Sequence, residues 1–211
     1  MNNPLLEFDG LPLFDQITPD HVTPAIDQLL DAANMALQTV TANDFVPSWE
    51  GLARVLDVAT ERLSLAWGVV NHLNSVADTP ELRAAYNAVL PKVTEFFTRL
   101  GADERLYAKY RAIDPGTLNV EQTQARKNAL RNFVLGGADL QGEQRERFAA
   151  IAERQAALSQ KFSENALDAT DAFAYYATDA EMDGVPDDVK QAAQEAVKKK
   201  KKVGFKLSLK L

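Results

Sequence analysis

Along most of the chain, apolar residues recur every three or four positions, the spacing of one buried helical face. Ile26, Leu29, Leu30, Ala33, Leu37 and Val40 form one stripe and predict a helix over about residues 24–40. Leu52, Val55, Leu56, Ala59, Leu63, Trp67 and Val70 form a second, on a long helix opening at Pro47 and Ser48 and reaching about Ser75. A third helix is predicted from Pro80 to Leu100, closing at Gly101, with Pro91 expected to kink it. Shorter ones follow over Glu104–Arg111 and, after the turn Asp114-Pro115-Gly116, over Val120–Leu135, which stops at Gly136-Gly137. The longest begins near Gly142 and passes Phe148, Ile151, Leu158, Phe162 and Leu167 to about Thr170.

Several helix starts repeat one device. Thr23-Pro24, Thr79-Pro80 and Val185-Pro186 each offer a proline for the first helical position, where its missing N–H costs nothing. The two threonines can cap, and Glu81, Asp187 and Asp188 place negative charge in first turns.

After residue 172 the period changes. "FAYYAT" is short, aromatic and followed by an Asp/Gly-rich turn, which predicts a strand. A helix from Pro186 to about Lys200 comes next. The chain then ends in strict alternation, with Phe205, Leu207, Leu209 and Leu211 on one side and Lys206, Ser208 and Lys210 on the other. That is a half-buried strand, which needs a neighbour for its backbone and a cover for its apolar row. The expected fold is mainly α: an antiparallel helical bundle over residues 1–172, then a short strand–helix–strand segment over 173–211 that begins a second, truncated module.

Charge sharpens this picture. The net charge is −7, but residues 198–211 carry seven lysines and no acid, leaving 16 basic against 30 acidic residues in 1–197. An acidic body argues against nucleic acid as the partner. The run Lys198–Lys202 reads as a solvated helix end whose cations complement the dipole, with a nucleic-acid or membrane-surface patch as the other reading. There is no cysteine, which excludes disulfides, thiolate nucleophiles and Cys-type zinc sites. The N-terminus has no signal-peptide pattern and no run approaches a membrane span, so a soluble cytoplasmic protein is expected.

Candidate chemistry is sparse. The only histidines, His21 and His72, stand far apart and lack carboxylates at ligand spacing, so capping or half-buried polar roles are expected. Glu143, Glu146 and Glu153 alternate with Arg145, Arg147 and Arg154 as a solvated face with helical ion pairs. Gly136-Gly137 ends a helix rather than opening one, so it is no phosphate loop. Trp67, Tyr86, Phe96, Phe97 and Phe133 lie on helical stripes and are expected in the core. No catalytic or metal residue is assigned, and substrate-binding positions stay open.

Three stretches nevertheless carry a resemblance: "LPLFDQITPDHVTPAIDQLL", "NHLNSVADTPELRAAYNAVLPKVTEFFTRLGADERLYAKY" and "LSQKFSENALDATDAF". Together they resemble the N-terminal part of the thimet-oligopeptidase-like zinc peptidases, in order and spacing, over about residues 4–197. The resemblance implies a much longer, cytoplasmic, mostly helical enzyme that cleaves short peptides inside a deep channel. Zinc in that family is held by H-E-x-x-H on a helix plus a downstream glutamate. No His-Glu dipeptide occurs here, so no catalytic residue carries over and no cofactor is expected in this chain. In the family, the segment matching "VGFKLSLKL" continues into further strands and then the catalytic half.

The expectation is therefore an N-terminal module, one wall of the substrate channel, inactive by itself. The alternative is a free-standing, non-catalytic helical module that binds peptides or protein. Expected partners are short peptides through the parent enzyme, the missing catalytic half, or a second copy through the terminal strand's open edge; neither nucleic acid nor membrane is expected.

Overall fold

The computed structural model describes residues 3–198 and 204–209. It has the expected mainly α architecture, with one small antiparallel sheet among the described residues. The chain divides into two compact units, Met1–Ala156 and Ala157–Leu211, and the division falls inside the longest helix.

The first unit contains α1 (Pro19–Thr41), α2 (Trp49–Leu52), a π-helical turn (Ala53–Asp57), α3 (Val58–Val76), α4 (Pro80–Gly101), α5 (Glu104–Ala112), α6 (Val120–Leu135) and the start of α7 (Glu143–Ala172). Helix α1 starts a turn earlier than its apolar stripe suggests. Pro19, not Pro24, takes the first helical position, and Pro24 sits inside the helix. The reason is local: the Thr18 N–H donates to Nδ1 of His21 at 3.1 Å, so His21 plays the part that Glu or Gln plays in a capping box. The other starts lie close to expectation. Ser48 accepts from the Gly51 N–H, Thr79 from that of Leu82, and Asn119 forms a reciprocal box with Gln122. The second predicted helix is continuous through residues 49–76 but holds the π turn at Ala53–Asp57.

Helix α1 is shared between two apolar cores. Its first half gives Val22, Ala25, Ile26, Leu29, Leu30 and Ala33 to a cluster with Leu63, Ala66 and Val70 of α3 and Leu82, Tyr86, Val89, Val93 and Phe96 of α4. Trp67 stacks on Tyr86 there, with centroids 4.6 Å apart. The second half gives Ala36, Leu37 and Val40 to a cluster with Leu52, Leu56, Leu106, Ile113 and Phe133. Of the five aromatic residues placed in the core by their spacing, Tyr86, Phe96 and Phe133 are buried, and Trp67 and Phe97 are half-buried against the first cluster.

Three cations hold chain ends at this second core. Lys109 Nζ donates to the carbonyls of Ala42 at 2.7 Å and Phe45 at 2.6 Å, just past α1. Arg126 donates to the carbonyls of Tyr110 and Arg111 in the last turn of α5. Arg145 reaches the carbonyl at the α4 C-cap, Ala102, at 2.6 Å and pairs with Glu104 at 2.8 Å. Arg126 and Arg145 each supply a donor, and a charge of the right sign, to carbonyls at a helix end, while Lys109 ties down the loop that follows α1. Arg145 thus departs from the expected i,i+4 pairing along its own helix, because the first turn of α7 lies beside the start of α5.

Asp103, buried among these ends, caps α5 by accepting from the N–H groups of Arg105 and Leu106. Burial pushes its carboxyl up, but the Arg105 hydrogen bond and charge and the Leu106 N–H outweigh that and hold it below the usual range. The stabilisation is present above the ordinary carboxylate pKa of 3.8 and is lost as pH falls below it.

Helix α6 ends as its glycines predict. The Ala138 N–H reaches the Phe133 carbonyl and the Gly137 N–H that of Val134, the two bonds of a Schellman close, with Gly137 at φ +90. Gly136 has a separate reason to be glycine: a Cβ there would stand 2.6 Å from the Gly101 carbonyl oxygen.

In the second unit, β1 (Tyr175–Ala177) pairs antiparallel with β2 (Phe205–Leu207), joined through α8 (Asp187–Lys198). The register sets Ala177 opposite Phe205. Ala177, Met182, Ala193 and Phe205 form a small core with Val185 and Leu207 against it. The expected strand–helix–strand order is present. However, α8 starts one residue after Pro186, and Leu209 lies beyond the end of β2, exposed. Residues 199–202 of the lysine run, and Lys210 and Leu211 of the predicted strand, lie outside the described residues.

The backbone contact at Gly136 predicts a contrast. Gly136→Ala should lower stability by about 1–3 kcal/mol, because the added methyl overlaps a backbone oxygen that cannot rotate away. Gly101→Ala, whose Cβ meets nothing within 4 Å, should be neutral or stabilising by up to about 1 kcal/mol. Urea unfolding followed by circular dichroism compares the two.

Candidate functional site

The histidines are used separately and structurally. His21 caps α1, and its own carbonyl accepts from Asn3 at 2.8 Å. His72, on α3, packs its ring against Phe14 with centroids 5.4 Å apart. Among the described residues, no group of three or more His, Asp or Glu stands close enough to hold a metal ion. Glu143, Glu146, Glu153, Arg147 and Arg154 lie exposed along α7, while Arg145 is drawn to the ends of α4 and α5.

Chemistry that the residue pattern did not single out gathers at the π turn. There the helix takes one extra residue, with the Val58 N–H donating to the Ala53 carbonyl instead of that of Arg54. Thr60 Oγ1 answers the disturbance by donating to the carbonyls of Leu56 at 3.0 Å and Asp57 at 3.2 Å. Beside the turn, an open groove of about 260 Å³ lies between α3, α4, α5 and α6. Its floor is Leu56, Leu106 and Phe133, all buried. Phe97 and Leu100 of α4 and Tyr110 of α5 form its walls, and Asp57 and Asn132 stand at its rim.

Asp57 and Tyr110 are the titratable groups of this lining. Asp57 meets solvent on its outer side, yet its inner side is crowded enough that desolvation raises its carboxyl above the ordinary value. Burial, and then the negative charge of Asp57, push the Tyr110 hydroxyl up to about 12. Among the described residues, neither the Asp57 carboxylate nor the Tyr110 hydroxyl makes a hydrogen bond or an ion pair. The groove offers no nucleophile with an adjacent base. It offers a charge, a phenol and an apolar bed, which suits binding rather than bond breaking.

The local signal for Asp57 was faint, an acid directly after the buried Leu56 in an otherwise apolar window. The π turn that sets its direction has no sequence mark here.

Residues 26–145, which include every side chain of the groove, match the family model described as the neurolysin/thimet oligopeptidase N-terminal domain. The chain is 39% identical over 214 residues to oligopeptidase A of Salmonella typhimurium, covering 99% of this chain and 32% of that protein. Oligopeptidase A of Escherichia coli is 38% identical over the same length and shares. A protein of Arabidopsis thaliana described as a probable cytosolic oligopeptidase A is 38% identical over 190 residues, covering 88% of this chain and 27% of its own length. The chain spans about a third of the length of the curated relatives it matches.

The raised Tyr110 pKa predicts a stability loss in alkali. Between pH 10.0 and about 12 the unfolded chain releases the phenolic proton while the folded chain keeps it. The folded state then binds more protons, and stability falls as pH rises through that window, by up to about 3 kcal/mol. The contribution is intact below pH 10.0. Urea midpoints measured across the window should fall more steeply for the natural chain than for Tyr110→Phe, which has no proton to lose there.

Proposed function

The chain belongs to the neurolysin/thimet oligopeptidase family through its N-terminal domain, and on that premise we propose that it is the helical module of a zinc oligopeptidase acting on short peptides in the cytoplasm. In such an enzyme the module forms one wall of the substrate channel, and it does not catalyse by itself. The observation that carries this reading is the 39% identity that extends over 99% of the chain yet meets only 32% of the relative.

The donor set agrees with a non-catalytic role. A catalytic zinc needs three protein ligands converging on one point. Here His21 is spent on the cap of α1, His72 lies against Phe14, and cysteine is absent. These residues do not fit the metal, so no hydrolytic step runs through them. The chemistry belongs to residues that this sequence does not contain.

The exposed face of α7 supports a surface made to be covered. In the part of α7 that belongs to the second unit, Leu158 and Phe162 are 51% and 75% exposed. Their spacing of four puts them on one side of a helix. The proposed cover is the catalytic half of the parent enzyme, which helps explain why a helix of 30 residues keeps an apolar row in the open.

Two measurements test this reading. The purified 211-residue chain should not cleave a quenched fluorescent peptide, with or without zinc; chelator-sensitive turnover would refute the non-catalytic assignment. Sedimentation should show concentration-dependent self-association, through the α7 row or the open edges of the β1–β2 sheet. Leu158→Glu with Phe162→Glu should reduce it if the row is responsible. A monomer at high concentration would count against an uncovered interface.

A further inference from the structure

The groove at the π turn carries a chemistry that the peptidase reading does not use. Among the described residues, Asp57 is the one charged side chain lining it, and no cation pairs with its carboxylate. The Tyr110 hydroxyl is also free of hydrogen bonds among the described residues. Leu56, Leu106 and Phe133 below them are buried apolar surface, and Tyr110 and Phe133 set their rings 5.4 Å apart at 52°.

An unpaired carboxylate above an apolar, aromatic bed complements a narrow class of ligand. An anion would be repelled by Asp57. A neutral apolar molecule would desolvate that carboxylate further and give nothing back. An organic ammonium answers both parts: its N–H groups can donate to Asp57 and to the phenol oxygen while its apolar body lies on the floor, beside aromatic faces that also attract cations. The volume of about 260 Å³ falls below the ~300–1,000 Å³ of clefts for drug-sized ligands, so the body is limited to about the size of one large side chain.

We propose that the groove between α3, α4, α5 and α6 is a binding site for a small primary ammonium compound with an apolar body, with Asp57 as its counter-ion. The cost of desolvating Asp57, which raises its carboxyl, is offset by the positive charge of the bound ammonium. A free arylalkylamine and the amino terminus of a peptide with an apolar first side chain share this chemistry. The proposal stands on the groove and does not depend on the chain being part of a peptidase.

The test is calorimetric titration of the 211-residue chain with phenethylamine hydrochloride, with Phe-Gly-Gly amide and with neutral phenethyl alcohol. At least one ammonium probe should bind about tenfold or more tightly than the alcohol, the scale of one charge-assisted hydrogen bond. Asp57→Asn should remove that preference. Binding of phenethylamine alone assigns the site to free amines, and binding of the tripeptide amide alone assigns it to peptide amino termini. Nuclear magnetic resonance shifts on the natural chain should centre on Tyr110 and Phe133, a reading that survives if the variant does not fold. Equal binding of the alcohol, no binding by any probe, shifts centred elsewhere, or an undiminished preference in folded Asp57→Asn would overturn the proposal.

Discussion

Burial of α1 is the constraint on which the first unit depends. One helix of 23 residues supplies the wall of both of that unit's apolar cores, the first half facing α3 and α4 and the second half facing α5, α6 and the π turn. Val22, Ala25, Ile26, Ala33 and Val40 have no solvent contact, and each buried Ile, Leu or Val contributes about 1.5–3 kcal/mol. Because the two clusters share one rigid element, a change of register in α1 would disturb both together. The cap at Thr18 and His21, and the Lys109 bonds just past Thr41, define the ends of that element.

Around the second core, electrostatics serves geometry more than net stability. Exposed ion pairs are worth little, but a cation donating to free carbonyls settles where a helix stops. Arg126 and Arg145 do this at the ends of α5 and α4, Lys109 holds the loop just past α1, and Gly136 lets the end of α6 touch the end of α4 backbone to backbone. The groove lies among these fixed ends. Its shape follows from them, and the direction of Asp57 follows from the extra residue in the helix before α3.

The two units differ in how much they bury. The first has two extensive clusters; the second has, among the described residues, four buried residues in its cluster and a two-stranded sheet, with Leu158 and Phe162 exposed along its part of α7. Two strands rarely stand alone in water without a covering surface.

Residue pattern by itself determined the helices, the short strand–helix–strand segment, the glycine stop after α6 and the family, since apolar periodicity, caps and long similar stretches are local properties of a chain. It also limited the chemistry: two distant histidines and no cysteine leave little to grip a catalytic metal. It misplaced the start of α1, because a histidine cap carries no conventional motif, and it read Arg145 as pairing along its own helix. Only the tertiary structure decided that Asp57 and Tyr110, on helices far apart in the chain, share one groove with Phe133. A one-residue π insertion and a backbone contact between glycines set that meeting, and both depend on neighbours that no sequence window contains.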